Sequence, residues 1–329
     1  MPTIFRFWKS AFLVVGATAL VCFPIVSAAR PDPAVLQTVN AWQQHRDAFQ
    51  QFECRFRVTE GMASSTEAAL NGELDSARTS TFLWAVDGDR ERCRRISSLT
   101  PEPLDSTPWG EPGLSYVIRG ERCTDVLMAG GIGLNVAEPV GAASIAGPGK
   151  GSVVAGNEFS TPFSIGMTGE CWSGTPRQRV QDYLKHQLPI TVSESQQADG
   201  TPLVTLTLPD DRPGLLRYEF LPDQGMMLTR FRAEMPGRVY ECVVTDWQET
   251  AAGMFPTRGV RIDRVDGAGI RVEIVEVEEL RVGPVDSGSF QVVLPAGMWV
   301  NAVNEGTKFQ LRQERAIDAT DLPGLLAGR

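Results

Sequence analysis

The sequence predicts an α+β fold in which one antiparallel β-sheet packs against two helices. Three observations lead to this prediction. A helix signature continues directly into a strand signature between Asp32 and Glu60. A second capped helix is indicated at residues 176–188. From Ile190 to near the end of the chain, short alternating segments are separated by short turns, which is typical of an antiparallel meander.

The opening helix is predicted from its cap and its apolar stripe. Asp32 and Pro33 are the residue types preferred at an N-cap and at the first helical position. Apolar residues then recur at helical spacing, with Leu36 broadening the stripe: Val35, Leu36, Val39, Trp42 and Phe49. At Phe52 the period changes to two, and one strand face holds Phe52, Cys54, Phe56 and Val58. One apolar face of a helix therefore continues into one apolar face of a strand.

A polar segment, residues 64–78, separates this strand from a predicted hairpin. Strands are predicted at residues 79–86 and 90–96, joined by the two-residue turn Asp87-Gly88. One side of the return strand carries three arginines: Arg90, Arg92 and Arg94. These residues fit an anion site, but they fit better a solvated strand or an edge strand protected by charge.

The middle of the chain has weaker patterns. Residues 114–126 predict another hairpin, and residues 129–156 are rich in Gly and Ala. Within the latter, the segment 147–152 superficially resembles a phosphate-binding loop. It lacks the Lys-Ser/Thr pair after its last Gly and the preceding strand that such a loop needs. We therefore interpret residues 129–156 as a mobile surface insertion.

The second helix is predicted from Thr175 as cap and Pro176 as first residue, with an apolar face of Val180, Tyr183, Leu184 and Leu188. The later strands are predicted at residues 203–208, 215–221, 226–234, 238–247, 254–263, 270–281 and 290–294, with a last short pair around Trp299 and 308–311. The alternation slips near Ile274, which predicts a bulge there. Residues 313–329 lack a strong pattern and are predicted to form a loosely held tail.

The first 29 residues predict a signal peptide. Arg6 and Lys9 form a basic start, residues 11–26 are nearly all apolar, and Val26-Ser27-Ala28 fits a cleavage site. A retained transmembrane helix fits less well, because the run is short, contains Pro24 and ends in small residues. We therefore expect an exported mature chain without a membrane span, located in the periplasm or outside the cell.

The composition is acidic. The chain has 31 Lys and Arg against 40 Asp and Glu, and a formal net charge of −9. Cleavage of the predicted signal leaves 29 basic residues against 40 acidic ones, or −11. We therefore expect no nucleic-acid partner, and anionic membrane surfaces are poor partners as well.

Five cysteines remain after the predicted cleavage: Cys54, Cys93, Cys123, Cys171 and Cys242. Because the number is odd, two disulfides at most can form. Their spacings match no zinc pattern. Cys93 and Cys123 are the favoured pair, since they lie in successive predicted hairpins. Cys54 alternates with two phenylalanines and is better explained as a buried structural thiol.

No constellation of catalytic residues is visible. The two histidines, His45 and His186, are expected at the surface, and two histidines alone cannot build a zinc site without acidic ligands. Glu276 and Glu278 would face the same way, which could suit calcium or acid/base chemistry but fits better a solvated sheet face. We therefore predict no catalytic residue, no metal site and no cofactor.

The layout resembles the LolA/LolB-type superfamily of periplasmic lipoprotein carriers. The resemblance rests on four features: the leading helix of residues 34–51 that feeds into Phe52-x-Cys54-x-Phe56, the hairpin of Phe82-x-Trp84 with Asp87-Gly88, the helix at 176–188, and the meander with Gly253-Met-Phe-Pro256. It implies a strongly curved, unclosed antiparallel sheet, an open half-barrel, with helices on its concave side. The single LolA-like domain would cover residues 30–312.

The resemblance also implies a function. Such a protein would be a non-catalytic binding protein that holds a lipid or lipoprotein acyl chain in an apolar cavity between sheet and helices. The candidate lining residues are Trp42, Phe56, Phe82, Trp84, Tyr218, Phe220, Phe231 and Trp247. For any single one of them, plain core packing is the better explanation. The alternatives are an envelope sensor or scaffold module that binds protein partners and, after it, an extracytoplasmic hydrolase.

Overall fold

The protein is described by a computed structural model that covers residues 33–98, 125–137, 142–147, 162, 176–186, 188–209, 214–303 and 305–327. Its helices are α1 (Pro33–Asp47), α2 (Thr66–Asn71), α3 (Pro176–Lys185) and α4 (Leu322–Leu326). Its strands are β1 (Gln51–Ala63), β2 (Asp75–Asp87), β3 (Arg90–Ser98), β4 (Asp125–Ala129), β5 (Ile132–Ala137), β6 (Ala142–Ala146), β7 (Thr191–Gln196), β8 (Pro202–Pro209), β9 (Leu215–Leu221), β10 (Met227–Met235), β11 (Arg238–Thr250), β12 (Gly253–Val265), β13 (Gly269–Val282), β14 (Gln291–Leu294), β15 (Trp299–Ala302), β16 (Thr307–Gln310) and β17 (Arg315–Asp318).

Fifteen of these strands form one sheet, in the order β16-β15-β6-β5-β4-β3-β2-β1-β13-β12-β11-β10-β9-β8-β7. All neighbours pair antiparallel except β15 and β6, which are parallel. The edge strands β7 and β16 lie at opposite ends of this order, so the sheet is not closed. Strands β14 and β17 pair separately. The predicted antiparallel, unclosed sheet is confirmed, and so is the meander from β8 to β13. Strand β7 extends this meander by one strand that the sequence did not predict.

Helix α1 and β1 place the predicted apolar stripe in the core. Val35, Val39 and Trp42 are buried, and Phe49, just after the helix, is buried as well. The helix ends at Asp47, four residues before the predicted end. The expectation that Leu36 broadens the stripe is wrong: the side chain is 39% exposed, and the buried Thr38 lies on the core side instead.

The main core lies on one face of the sheet, beneath α1 and α3. Aromatic pairs dominate it. The rings of Phe52 and Trp84 meet edge-on at 4.8 Å, and those of Phe56 and Phe82 stack at 5.1 Å. Edge-to-face and offset pairs of this kind contribute about 0.5–1.5 kcal/mol each beyond their burial. These aromatic pairs join the neighbouring strands β1 and β2 on the face of the sheet that α1 covers.

A second core lies on the opposite face, around β4 to β6. Val126 belongs to the main core and its neighbour Leu127 to the second, because successive side chains of a strand point to opposite faces. Leu134 and Ile145 join Leu127, and the C-terminal residues that cover them include Phe290, Leu322 and Leu325.

Two expectations about this region are wrong. Residues 129–156 contain the buried strands β5 and β6, and residues 313–329 contain β17 and α4. The second core explains both differences. Strands β5 and β6 contribute buried residues to it from the sheet, and β17 and α4 contribute the residues that pack over them. Small residues such as Ala143 carry this packing, and their weak alternation hides the strands in the sequence.

A third core forms where α2 packs on β12 and β13, on the face of the sheet opposite the main core. This helix lies in residues 64–78, where the sequence predicts only a polar segment. The side chain of Ser65 caps it by accepting a hydrogen bond from Ala68 N at 3.0 Å. Gly72 ends it in the left-handed conformation, with φ of 78°. Six residues are too few to give a clear helical period.

The bulge predicted near Ile274 lies elsewhere. The register between β1 and β13 shifts between Arg55 and Phe56, which pair with Glu279 and Val277 and skip Glu278. Ile274 packs in the third core and Val275 in the main core, on opposite faces. The slip in alternation therefore marks a strand buried on both sides at this point.

Candidate ligand-binding groove

The eight predicted lining residues meet in one place. Seven are buried in the main core, and Trp247 is half-buried against it. Tyr218 and Phe231 lie 4.8 Å apart, as ring centroids, and Phe56 stacks on Phe82. Of four grooves that described residues line, only one is bordered by any of the eight, namely by Trp84. The aromatic side chains thus pack on each other, and their contact with a ligand stays a prediction.

The largest of these four grooves lies between α1 and the hairpin of β7 and β8, with a volume of about 600 Å³. It is lined by Ala34, Gln37, Thr38, Val192, Glu194, Ser195, Gln196, Pro202, Leu203, Val204, Pro222 and Met226. Glu194 pairs with Val204 in the β7–β8 register, and Val204 belongs to the main core. The groove therefore opens between helix and sheet, on the main-core side, beyond the aromatic packing.

The groove has a mixed lining, in which seven of the twelve residues are apolar and five are polar. Its apolar members are aliphatic or proline residues, and its polar ones carry amide or hydroxyl groups. Glu194 is the single charged lining residue and is exposed. Pockets of 300–1,000 Å³ with apolar walls and a few polar groups are typical ligand sites. With no cation among the lining residues, the groove suits a neutral apolar chain better than an anion.

Local structure holds both walls in place. Val35, Val39 and Trp42 anchor α1 from the buried side. Across the groove, Asp199 accepts a hydrogen bond from Thr201 N at 2.9 Å in the turn between β7 and β8. Hydrogen bonds from the backbone and side chain of Thr201 lower the pKa of Asp199, so this turn is formed with the carboxylate ionised.

Met226 closes one end of the groove in an uncommon conformation. Its φ is 60°, in the left-handed region that only a few per cent of non-glycine residues occupy. Backbone strain of this kind costs about 1–3 kcal/mol and persists where the surroundings hold it. Met226 follows the short turn Pro222–Gln224 and lines the groove together with residues of α1.

The groove lies away from the aromatic residues that the sequence marks as candidates. None of its lining residues is aromatic, and β7 was not among the predicted strands. Its sequence, Thr191 to Gln196, is polar, and five of its six residues are exposed. The sequence signal that could have indicated a strand here is the β-branched pair Thr191 and Val192, followed by the turn Asp199-Gly200.

The arginines of β3 do not form an anion site together. Strand β3 lies between β2 and β4, so the edge-strand interpretation is wrong. Arg92 forms a bidentate ion pair with the buried Asp125, at 2.9 and 2.6 Å. Arg90 contacts Asp87 and lies 4.7 Å above the Phe290 ring centroid. These two arginines are therefore structural, and only Arg94 is exposed.

The histidines differ from the expectation in one case. His186 is exposed, as predicted. His45 is half-buried, and its buried Nε2 has no hydrogen-bond partner. Burial lowers the pKa of His45, and a hydrogen bond with the backbone of Met254 opposes part of that shift. The ring lies edge-on to Phe49 at 5.7 Å between centroids.

The acidic residues of β13 are paired. Glu276 and Glu278 lie 2.8 and 3.6 Å from terminal nitrogens of Arg57. Within the described ranges, no group of three or more His, Cys, Asp or Glu could hold a metal ion. None of the helices in these ranges is long and apolar enough to cross a membrane.

The cysteines that the structure describes are all buried: Cys54, Cys93 and Cys242. Burial raises the pKa of the Cys54 thiol, which confirms its interpretation as a buried structural thiol. Cys123 lies outside the described residues, so the pairing with Cys93 stays a prediction. The predicted signal peptide also lies outside them, as does most of the segment 147–152.

No protein-family model and no curated protein matches the chain. Among solved structures it is similar to a LolA superfamily protein from Nitrosomonas europaea, with 10% identity and a TM-score of 0.41, over 76% of this chain and 96% of that chain. A domain described as an outer membrane lipoprotein-sorting protein, from Vibrio parahaemolyticus, has 9% identity and a TM-score of 0.41, over 78% and 97%.

A DUF1329 family protein from Desulfovibrio piger has 8% identity and a TM-score of 0.36, over 78% of this chain and 96% of that chain. The names of these solved structures include the LolA superfamily that the sequence resembles. At identities of about a tenth and TM-scores under 0.5, no residue role and no function is carried across from them.

Proposed function

We propose that this chain is an exported, non-catalytic binding protein that holds a lipid or lipoprotein acyl chain in the groove between α1 and the β7–β8 hairpin. The observation that carries the proposal is the groove itself, about 600 Å³ between a helix and the sheet. The proposal includes a sheet that curves as a half-barrel around α1, with the helix on its concave side.

The chemistry of the lining favours an acyl chain. Ala34, Val192, Val204 and Met226 offer apolar contacts, and each buried methylene contributes about 0.8 kcal/mol. Glu194 at the rim would repel a carboxylate or phosphate head group. An acyl chain joined to a neutral group, such as an amide-linked chain on a polypeptide, fits the groove better than a free fatty acid.

Groove-filling variants test this assignment. Gln37 is exposed on α1 and lines the groove, and Gln44 is exposed on the same helix outside it. We expect Gln37→Trp to weaken binding of a fluorescent acylated peptide about tenfold, because the indole displaces about two methylenes of ligand. Gln44→Trp makes the same substitution on the same helix and should leave the affinity unchanged.

Two results would contradict the proposal. One is the absence of saturable binding of acylated peptide to the wild-type protein, together with no lipid in organic extracts of the purified chain. The other is equal loss of binding in both tryptophan variants. Loss only in Gln37→Trp, with unchanged circular dichroism, supports the groove as the site.

A protein partner is the second candidate function, and the open edge of β7 favours it. Among the described strands, β7 pairs with β8 alone and stands at the end of the sheet order. Exposed edges of this kind accept an added strand from a partner. Ser193 is exposed on β7 and does not line the groove. Ser193→Lys should abolish capture of an envelope partner without changing acyl binding; unchanged capture excludes strand addition at β7.

A further inference from the structure

A small cavity on the face opposite the main core is lined by three arginines. It has a volume of about 120 Å³ and is bordered by Thr66, Arg230, Arg232, Val239, Glu241, Ile262 and Arg264. Phe231 points into the main core, so Arg230 and Arg232 on either side of it share the other face. At about 30 Å³ per liquid water, the cavity holds about four waters, the size of a small ion rather than a lipid.

The single carboxylate among the lining residues is already neutralised. Glu241 is 4% exposed and accepts a hydrogen bond from Nε of Arg230. In Arg232 the Nε atom lies 2.7 Å from Oε1 of Glu234, as an ion pair in which Nε donates no hydrogen bond. A guanidinium has five N–H donors, four of them on its two terminal nitrogens. Both arginines thus hold a carboxylate through Nε and keep their terminal nitrogens for another acceptor.

The positive charges around the cavity are compensated only in part. Glu219 lies opposite Arg230 in the β9–β10 register, and Glu241 lies opposite Arg232 in the β10–β11 register. Arg217 lies directly opposite Arg232 in the β9–β10 register, and like charges in that position repel each other. Arg264, on the cavity wall, is exposed. Among the described residues, no carboxylate forms an ion pair with Arg217 or Arg264. A bound anion would relieve this repulsion.

We infer that this cavity, the three-arginine pocket formed by Arg230, Arg232 and Arg264 with the Thr66 hydroxyl, binds a phosphate group. A tetrahedral oxyanion presents several acceptor oxygens, and terminal guanidinium nitrogens bind such oxygens in pairs. The site is on the opposite face from the acyl groove and does not depend on it. The phosphate could be free in solution or carried by a lipid head group.

Calorimetric titration with inorganic phosphate, at constant ionic strength in chloride, tests the pocket. We expect saturable binding to the wild-type chain and about tenfold weaker binding to Arg264→Gln, because one charge-assisted contact is lost. Arg264 is exposed and has no ion pair to break, so this variant keeps its fold. Arg232→Lys keeps the positive charge but loses the planar guanidinium that can bind two oxygens at once. It should therefore weaken phosphate binding less than Arg232→Gln does.

Arg312→Gln is the control, since Arg312 is exposed outside the pocket and the substitution removes the same charge. No saturable phosphate binding to the wild type, or equal weakening in Arg312→Gln and Arg264→Gln, overturns the inference. Sedimentation with phosphatidylcholine vesicles, with and without phosphatidic acid, separates the sources. Binding to phosphatidic acid that Arg264→Gln loses assigns a lipid phosphate, and phosphate binding without vesicle binding assigns a soluble one.

Discussion

The two ends of α1 rest on the same sheet in opposite ways. At its C-terminal end, Trp42 is buried and the His45 ring lies next to the turns at Gly225 and Gly253. At its N-terminal end, Ala34 and Gln37 border a groove of about 600 Å³. The difference teaches that the buried Trp42 fills the space between helix and sheet at one end of α1, whereas the exposed Ala34 and Gln37 leave it open at the other.

The largest expected effect is at the closed end. Trp42→Ala should lower the free energy of unfolding by about 3–5 kcal/mol, because it removes a fully buried aromatic and leaves a cavity. Gln37→Ala, at the open end of the same helix, should stay within about 0.5 kcal/mol of the wild type. Urea denaturation followed by circular dichroism measures both.

If Trp42→Ala and Gln37→Ala lowered the free energy of unfolding by similar amounts, the comparison would fail. The groove end of α1 would then contribute as much to stability as the packed end. Leu36→Ala is the matched apolar control, because Leu36 lies on the same helix but is 39% exposed. Its cost should stay below about 1 kcal/mol.

A smaller effect is expected at the turn beneath the closed end. Gly253 has a φ of 119°, a conformation that side-chain-bearing residues rarely adopt. A Cβ there would lie 3.5 Å from His45 Cε1, which is ordinary contact, so the cost comes from the backbone. Gly253→Ala should therefore destabilise the protein by about 1–3 kcal/mol in thermal or urea denaturation.

Gly324→Ala is the control for that substitution. Gly324 lies in α4 without a positive φ, and a Cβ there would meet no atom within 4 Å. Alanine is favoured over glycine in helices by about 1 kcal/mol, so this change should be neutral or stabilising. Equal destabilisation by both changes would show that the Gly253 conformation is not the cause.

The sequence predicted the packed part of the fold well because large apolar residues alternate there. Strand β9 has the predicted bounds, 215–221, and β8 differs from its prediction by one residue at each end. Leu216, Tyr218 and Phe220 alternate with polar residues, and burial follows the same period. Where the residues are small, as in β6, or the element is short, as in α2, no period is long enough to detect.

The site was harder to predict than the fold for the same physical reason. Aromatic residues such as Phe56 and Tyr218 signal strong burial, and strong burial fills the space that a ligand would need. The residues that line the open groove include no aromatic side chain, so they leave no strong burial pattern in the sequence. Its lining comes from α1, β7, β8 and the turn at Pro222, which only the folded topology brings together.

His45 gives the smallest predicted effect and the sharpest test of the closed end. Burial lowers its pKa from the ordinary value of 6.5, so the folded state binds fewer protons than the unfolded state just below that pH. Stability must then rise with pH through this window and become constant above it. Protonation at low pH charges a ring whose buried Nε2 has no acceptor, and it weakens the contact of α1 with the turn at Gly253.

Urea denaturation at a series of pH values from about 5 to 8 measures this slope, across the ordinary histidine range. His45→Gln should remove the part of the slope that lies below pH 6.5, whereas His186→Gln should keep it, because His186 is exposed. Acyl binding adds a second reading, since the groove lies at the other end of the helix. If acidification weakens binding in the wild type but not in His45→Gln, the closed end of α1 controls the open one. If binding stays constant while stability falls, the two ends act independently.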